Sequence, residues 1–160
     1  MKISFRLNVS ESIGKGHWSR CTCLSKKLTD FGCKVEIITN SVSEDLVGEV
    51  KNSECFSHIT NDGFNLCSNR ESVQISDAEL FLSLADEPDV IVVDHYSLSS
   101  TWLREVRRSL TKVKFVIFDD GLLRDMKCDV VINSNGMFSD DSYFEKEIES
   151  KDYLLGNNYS

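Results

Sequence analysis

Apolar and polar positions along this chain fall into short blocks, each with its own period. Lys2 to Leu7 (KISFRL) alternates and predicts a first strand. From His17 to Phe31, residues Trp18, Cys21, Leu24, Leu28 and Phe31 recur at steps of three and four, which is one apolar stripe of a helix. Gly32 stands where a helix stop is expected. Cys33 to Thr39 (CKVEIIT) is rich in β-branched residues and predicts a second strand. Together these form a βαβ unit, for which a right-handed crossover is expected.

Residues 40–88 carry weaker periodicity. Ser43 to Val50 reads as a short helix, Phe56 to Ile59 as a short strand, and Ile75 to Leu84 as a helix, with loop over residues 61–70. Pro88, the single proline, punctuates the approach to Val90–Asp94 (VIVVD). That continuous β-branched run suits a parallel strand covered on both faces. Ser99 or Ser100 is placed to cap a helix running through Trp102, Leu103, Val106 and Leu110. Lys114–Phe118 (KFVIF), Cys128–Ile132 (CDVVI) and Tyr153–Leu155 predict three further strands. Alternating strands and helices predict an α/β, Rossmann-like three-layer domain with a mostly parallel sheet. At 160 residues the chain is expected to be one such domain, 1–160.

Composition narrows the function classes. A net charge of −8 argues against a nucleic-acid-binding surface. No apolar run approaches the ~20 residues that cross a bilayer, and the N-terminus lacks a secretory pattern. A cytoplasmic protein with no membrane and no nucleic-acid partner is the expectation. Of the six cysteines, Cys21 and Cys23 form a C-x-C, but no second close pair completes a zinc site. Reduced thiols and no bound metal are expected.

The chemistry gathers at strand ends. After the first strand comes a polar loop with Gly14 and Gly16, then His17 at a helix start. Backbone donors there, with the helix dipole, favour an anion such as a phosphate or pyrophosphate. The loop does not complete a dinucleotide fingerprint, because Ser19 stands where a third glycine is needed and Thr39-Asn40 offers no acid for a ribose. The chain contains neither a phosphate-binding G-x-x-x-x-G-K-[ST] loop nor a G-x-S-x-G nucleophile elbow. His17 is the candidate general base, and His95 beside Asp94 a second acid–base candidate. Asp94-His95-Tyr96, Asp119-Asp120 and Asn133/Asn135 all follow strands, so a parallel sheet sets them along one edge. They either floor a site there or merely turn the chain.

Arg6, Ser10, Ile13-Gly14, Gly16-His17 and Arg20 follow the pattern R-x-D-x-S-x-x-I-G-x-G-H-x-x-R. This resembles the N-terminal motif of the UDP-sugar hydrolases of pseudaminic acid biosynthesis (PseG-like proteins) and related spore-coat polysaccharide proteins. The resemblance continues at Val93-Asp94-His95-Tyr96, Phe118-Asp119-Asp120, Cys128-Asp129, Asn133 with Asn135, and Leu155-Gly156 with Tyr159. It implies the N-terminal half of a GT-B fold and release of UDP from a UDP-linked 2,4-diacetamido-2,4,6-trideoxyhexose. It also implies that His17 is the base that activates water, with Gly14, Lys15 and Gly16 against the diphosphate and sugar. Asp94, His95 and Tyr96 would line the sugar side, and Arg6, Asn8, Arg20, Asp119, Asp120, Asn133 and Asn135 would complete the substrate site. The scheme needs no cofactor and no metal.

Two departures stand out. Asn8 replaces the family's aspartate, keeping its size and one acceptor but losing its charge. The family's second, nucleotide-binding domain would begin near Ser160, so a C-terminal domain or partner chain is expected to complete the site. The chain by itself is expected to hydrolyse little UDP-sugar. Two alternatives share the architecture: a GT-B-type glycosyltransferase acceptor domain, and a non-catalytic module that binds a sugar nucleotide.

Overall fold

The β-branched runs and amphipathic stripes assemble into a doubly wound α/β domain in a computed structural model of the chain. The structure describes residues 1–9, 16–40, 56–60, 70–120, 126–134 and 150–156, with 56–60 as backbone alone. In chain order the elements are β1 (Lys2–Leu7), α1 (Gly16–Asp30), β2 (Lys34–Asn40), β3 (Phe56–Thr60), α2 (Glu71–Leu84), β4 (Val90–Asp94), α3 (Ser100–Ser109), β5 (Lys114–Phe118), β6 (Val130–Asn133) and β7 (Asp152–Leu155). The seven strands form one sheet in the order β3-β2-β1-β4-β5-β6-β7. Every neighbouring pair is parallel.

The period of two along each strand divides the core. Ile3, Phe5 and Leu7 of β1, Val35 and Ile37 of β2, Val92 of β4 and Phe118 of β5 pack with Trp18 and Cys21 of α1. The alternate positions Ile38, Ile91, Val93, Phe115, Ile117 and Val131 pack with Ala78 and Phe81 of α2 and with Trp102, Leu103 and Val106 of α3. The sheet is therefore covered on both faces, as a parallel sheet must be. Phe81 and Trp102 lock α2 to α3 edge to face, with centroids 5.1 Å apart.

The fold follows the sequence expectations with local differences. Helix α1 ends at Asp30, and Phe31, expected on the apolar stripe, is 85% exposed. Backbone geometry ends the helix there. Gly32 takes φ +79°, its N–H donates to the Thr29 carbonyl at 2.8 Å, and the Cys33 N–H donates to the Leu28 carbonyl at 3.0 Å. That double bond is a Schellman stop, and its left-handed residue suits glycine. Helix α2 begins at Glu71, ahead of the expected Ile75, and β6 begins at Val130 rather than Cys128. Ser99 sits at the start of α3 but makes no side-chain cap. Its N–H and hydroxyl both donate to Gln74 Oε1 at 2.9 Å, so a tertiary partner has replaced the local one. The expected helix over residues 43–50 and the loop over 61–69 lie outside the described residues.

The order β3-β2-β1 on one side and β4-β5-β6-β7 on the other reverses between β1 and β4. At such a switch point the loops leaving neighbouring strands part to opposite faces and open a crevice at the carboxyl ends. The chain leaves β1 toward α1 on one face, and leaves β4 through His95 and Tyr96 toward α3 on the other.

Candidate functional site

Asp94 is the last residue of β4, and the alternation that puts Val92 under α1 puts Asp94 there too. Its backbone is pinned beside β1 by the Asn8 N–H, which donates to the Asp94 carbonyl at 3.2 Å. Its carboxylate is fully buried and collects donors from the first turns of α1. His17 Nδ1 lies 2.5 Å from Oδ1. Arg20 donates in a fork, Nη2 to Oδ1 and Nε to Oδ2, both at 2.5 Å. The Cys21 thiol donates to Oδ2 at 3.4 Å.

The electrostatics follow from this packing. Burial by itself would raise the Asp94 carboxyl, but the bonds from His17 and Arg20 outweigh it and hold it below the usual carboxylate range. Asp94 is thus an ionised acceptor, so Nδ1 of His17 carries the hydrogen and a neutral ring keeps its lone pair on Nε2. Nε2 bonds to no described residue. For Arg20, burial alone would weaken the cation, but Asp94 and Asp120 reverse that and push it up. The Cys21 thiol is pushed up by burial and then by the Asp94 charge, which leaves it protonated.

Arg20 continues outward. Its Nη1 donates to Asp120 Oδ2, and its guanidinium stacks on Phe118 at 4.7 Å from the ring centroid. The Tyr96 hydroxyl donates to the same Asp120 oxygen at 2.7 Å. Burial and this bond push the Tyr96 phenol up to about 12, so it stays a donor. The Tyr96 ring returns to His17 edge to face, with centroids 4.6 Å apart.

Of the sequence-predicted residues, His17, Arg20, Asp94, Tyr96 and Asp120 therefore meet, with Gly16 opening α1 beside them. Asp94 is fully buried beneath His17 and Arg20, which both bond to its carboxylate. His95 is also fully buried, and its Nδ1 accepts the Ser97 N–H at 3.3 Å, which shapes the turn out of β4. Asp119 and Asn133 are buried at the ends of β5 and β6, where the Asp119 N–H donates to the Ile132 carbonyl and the Asn133 carbonyl accepts from Gly156. Gly14, Lys15 and Asn135 lie outside the described residues.

Arg6 and Asn8 belong to a different set. Even-numbered positions of β1 face α2, and Arg6 is buried there against Asp77, donating Nε to Oδ1 at 3.0 Å and Nη2 to Oδ2. Asp77 also accepts the Trp102 indole N–H at 2.8 Å. Arg6 Nη1 donates to the Leu7 carbonyl and to Asn40 Oδ1, and Asn40 Nδ2 donates to Asn8 Oδ1 at 2.5 Å. Sequence reasoning did not identify Asp77 or Asn40. The available signal was an acid sharing the buried stripe of α2 with Ala78 and Phe81.

Among the described residues, no group of three or more His, Cys, Asp or Glu side chains is arranged to hold a metal ion. Nor is any helix among them long and apolar enough to cross a membrane. No family model matches the chain, and no curated protein sequence matches it. Among solved structures, the glycosyltransferase VinC in complex with DTDP aligns over 74% of this chain and 34% of its own length, at 15% identity and a TM-score of 0.44. The chain thus spans about a third of the length of that structure. Similarity at this level transfers no function.

Proposed function

We propose that this chain is the catalytic half of a sugar-nucleotide hydrolase. In this reading His17 deprotonates a water that attacks the anomeric carbon of a UDP-linked diacetamido-trideoxyhexose and UDP departs. The observation that carries the proposal is the His17–Asp94 pair at the β1/β4 switch point, with Nδ1 engaged and Nε2 uncommitted to any described residue. The motif R-x-N-x-S-x-x-I-G-x-G-H-x-x-R around it supports the same substrate class.

Each protein group then has a physical task. Asp94 holds the tautomer that presents a lone pair at Nε2, and it faces the imidazolium once the proton arrives. The cluster holds two carboxylates, Asp94 and Asp120, against one guanidinium, Arg20. It therefore carries one negative charge in excess while His17 is neutral, and none after His17 accepts the proton of water. The N-terminus of α1 offers backbone donors and a positive dipole end to the leaving diphosphate. In this reading the uridine is held by a second domain or partner chain, as in the proteins whose motif the chain resembles.

The test is UDP release from the UDP-linked sugar, wild type against His17→Ala, assayed with any domain or partner chain that completes the site. Removal of a general base lowers kcat by roughly 10²–10⁴-fold. An unchanged rate in His17→Ala overturns the assignment. One further reading is favoured by Tyr96, which is 38% exposed beside His17 and offers a sugar a stacking face. The same pair can deprotonate an acceptor hydroxyl instead of water. Adding candidate acceptors to the assay separates the two, because a transferase yields a glycoside and a hydrolase yields the free sugar.

A further inference from the structure

The contacts around His17 close on themselves. His17 donates to Asp94, Asp94 holds the fork of Arg20, Arg20 donates to Asp120, Asp120 accepts the Tyr96 hydroxyl, and the Tyr96 ring abuts His17. We infer that Asp120 and Tyr96 are positioning residues that close a ring of five side chains and thereby fix the plane of the His17 imidazole. The inference rests on the reading of His17 as the base and adds what aims it.

His17 is buried, yet one bond from Nδ1 to Asp94 fixes only one edge of the imidazole, and a tilt about that bond swings Nε2 through an arc. The edge-to-face contact with Tyr96 removes this freedom. Tyr96 is 38% exposed, and its hydroxyl bond to Asp120, beside the Arg20 guanidinium, is a tether that holds the ring against His17. Asp120 is itself 28% exposed at the side chain, and Arg20 25%. Neither is fixed by burial. Each is fixed by charge-assisted bonds to its neighbours, which hold direction better than neutral ones. The buried anchor is Asp94, and the restraint passes outward through Arg20 and Asp120 and back through Tyr96. A base must be aimed as well as present, since a misplacement of about 1 Å can cost about 10²-fold in rate.

Three variants test the ring. Tyr96→Phe keeps the aromatic contact but removes the tether. Asp120→Ala removes the acceptor shared by Arg20 and Tyr96, both of which bond to its Oδ2. Asp120→Asn can present a carbonyl oxygen in that place. The chain is labelled with ¹³C-histidine, and the His17 ring signals, assigned by their absence in His17→Ala, report the order parameter of the ring C–H bonds. Wild type and Asp120→Asn are expected to show a rigid ring. Tyr96→Phe and Asp120→Ala are expected to show a lower order parameter for the same ring, with Nδ1 still bonded to Asp94. In the UDP-release assay the two opening variants should lower kcat by roughly ten- to a hundred-fold with KM little changed. Their combination should be no worse than the weaker single, because each opens the same ring.

Wild-type order of the His17 ring retained in both folded opening variants overturns the inference. So does a double variant whose loss equals the product of the two singles. Circular dichroism confirms folding, and Tyr96→Phe, a conservative change at a half-exposed site, keeps the test available should Asp120→Ala fail to fold. The ring-order readout does not depend on turnover. Failure of the hydrolase reading in His17→Ala is therefore distinct from failure of the ring.

Discussion

Replacing Asp77 by alanine separates the structural set around Arg6 from the chemical set around His17. Asp77 accepts Arg6 Nε and Nη2 and the Trp102 indole N–H. The two charged side chains are 2% and 4% exposed. Without the carboxylate, Arg6 keeps its bonds to the Leu7 carbonyl at 2.6 Å and to Asn40 Oδ1 at 3.1 Å, and loses its one ion-pair partner among the described residues. Breaking a buried pair from one side costs about 3–5 kcal/mol. Orphaning the indole N–H adds about 1–3 kcal/mol, part of which relaxation recovers. We expect Asp77→Ala to lose about 4–6 kcal/mol, a large share of the roughly 5–15 kcal/mol that holds a typical domain folded. Asp77→Asn keeps an acceptor for the indole and should lose less. Arg6→Met combined with Asp77→Leu removes both charges and should recover most of the loss. Urea unfolding followed by circular dichroism measures this as a shift of midpoint at constant slope. A loss below about 1 kcal/mol in Asp77→Ala, the scale of an exposed ion pair, refutes the argument. So does a double variant as unstable as the single.

Asp94 should make stability fall in acid. Its carboxyl is held below the usual range, so its contribution is fully present above the ordinary aspartate value of about 3.9 and is lost as pH falls through the lower folded value. The stability gap between wild type and Asp94→Asn, from urea midpoints at several pH values, should be constant above about pH 5 and shrink below about pH 4. A gap that grows on acidification contradicts this sign. Gly16 lacks a positive φ, and a Cβ there meets nothing within 4 Å. Gly16→Ala should therefore leave the fold intact or stabilise it by up to about 1 kcal/mol. If the diphosphate approaches this backbone, KM for the UDP-sugar rises in the same variant, and an unchanged KM counts against that contact. Cys23 is exposed, whereas Cys21 is buried with a raised thiol. A thiol reagent followed by peptide mass mapping should label Cys23 in the folded protein and Cys21 only on unfolding. Prompt labelling of Cys21 contradicts its place beneath the site.

The parallel α/β sheet was legible because most strands are short β-branched runs and α1 and α3 each carry an apolar stripe, and both are properties of neighbouring residues. Helix α2 was less legible because its buried face includes Gln74 and Asp77. Periodicity located β1, α1, β4, α3 and β5 to within a residue or so. It erred where a tertiary or backbone bond replaced a local rule. Phe31 continues the spacing of the α1 stripe but falls past a stop set by the left-handed Gly32, and Ser99 could have capped α3 but bonds Gln74 instead. The strand-end clusters were likewise visible in the sequence, since all seven strands run one way and their carboxyl ends share an edge. Only the tertiary structure sorted those clusters. Alternation along a strand sends Arg6 to the α2 face and Asp94 to the α1 face, but which face holds the counter-charge depends on helices far away in the chain. Asp77 lies 71 residues beyond Arg6, and Asp94 lies 77 residues beyond His17. Residue type and spacing nominate an acid or a base, but a proton-transfer pair forms only where packing brings the two within hydrogen-bond reach and shields them from water.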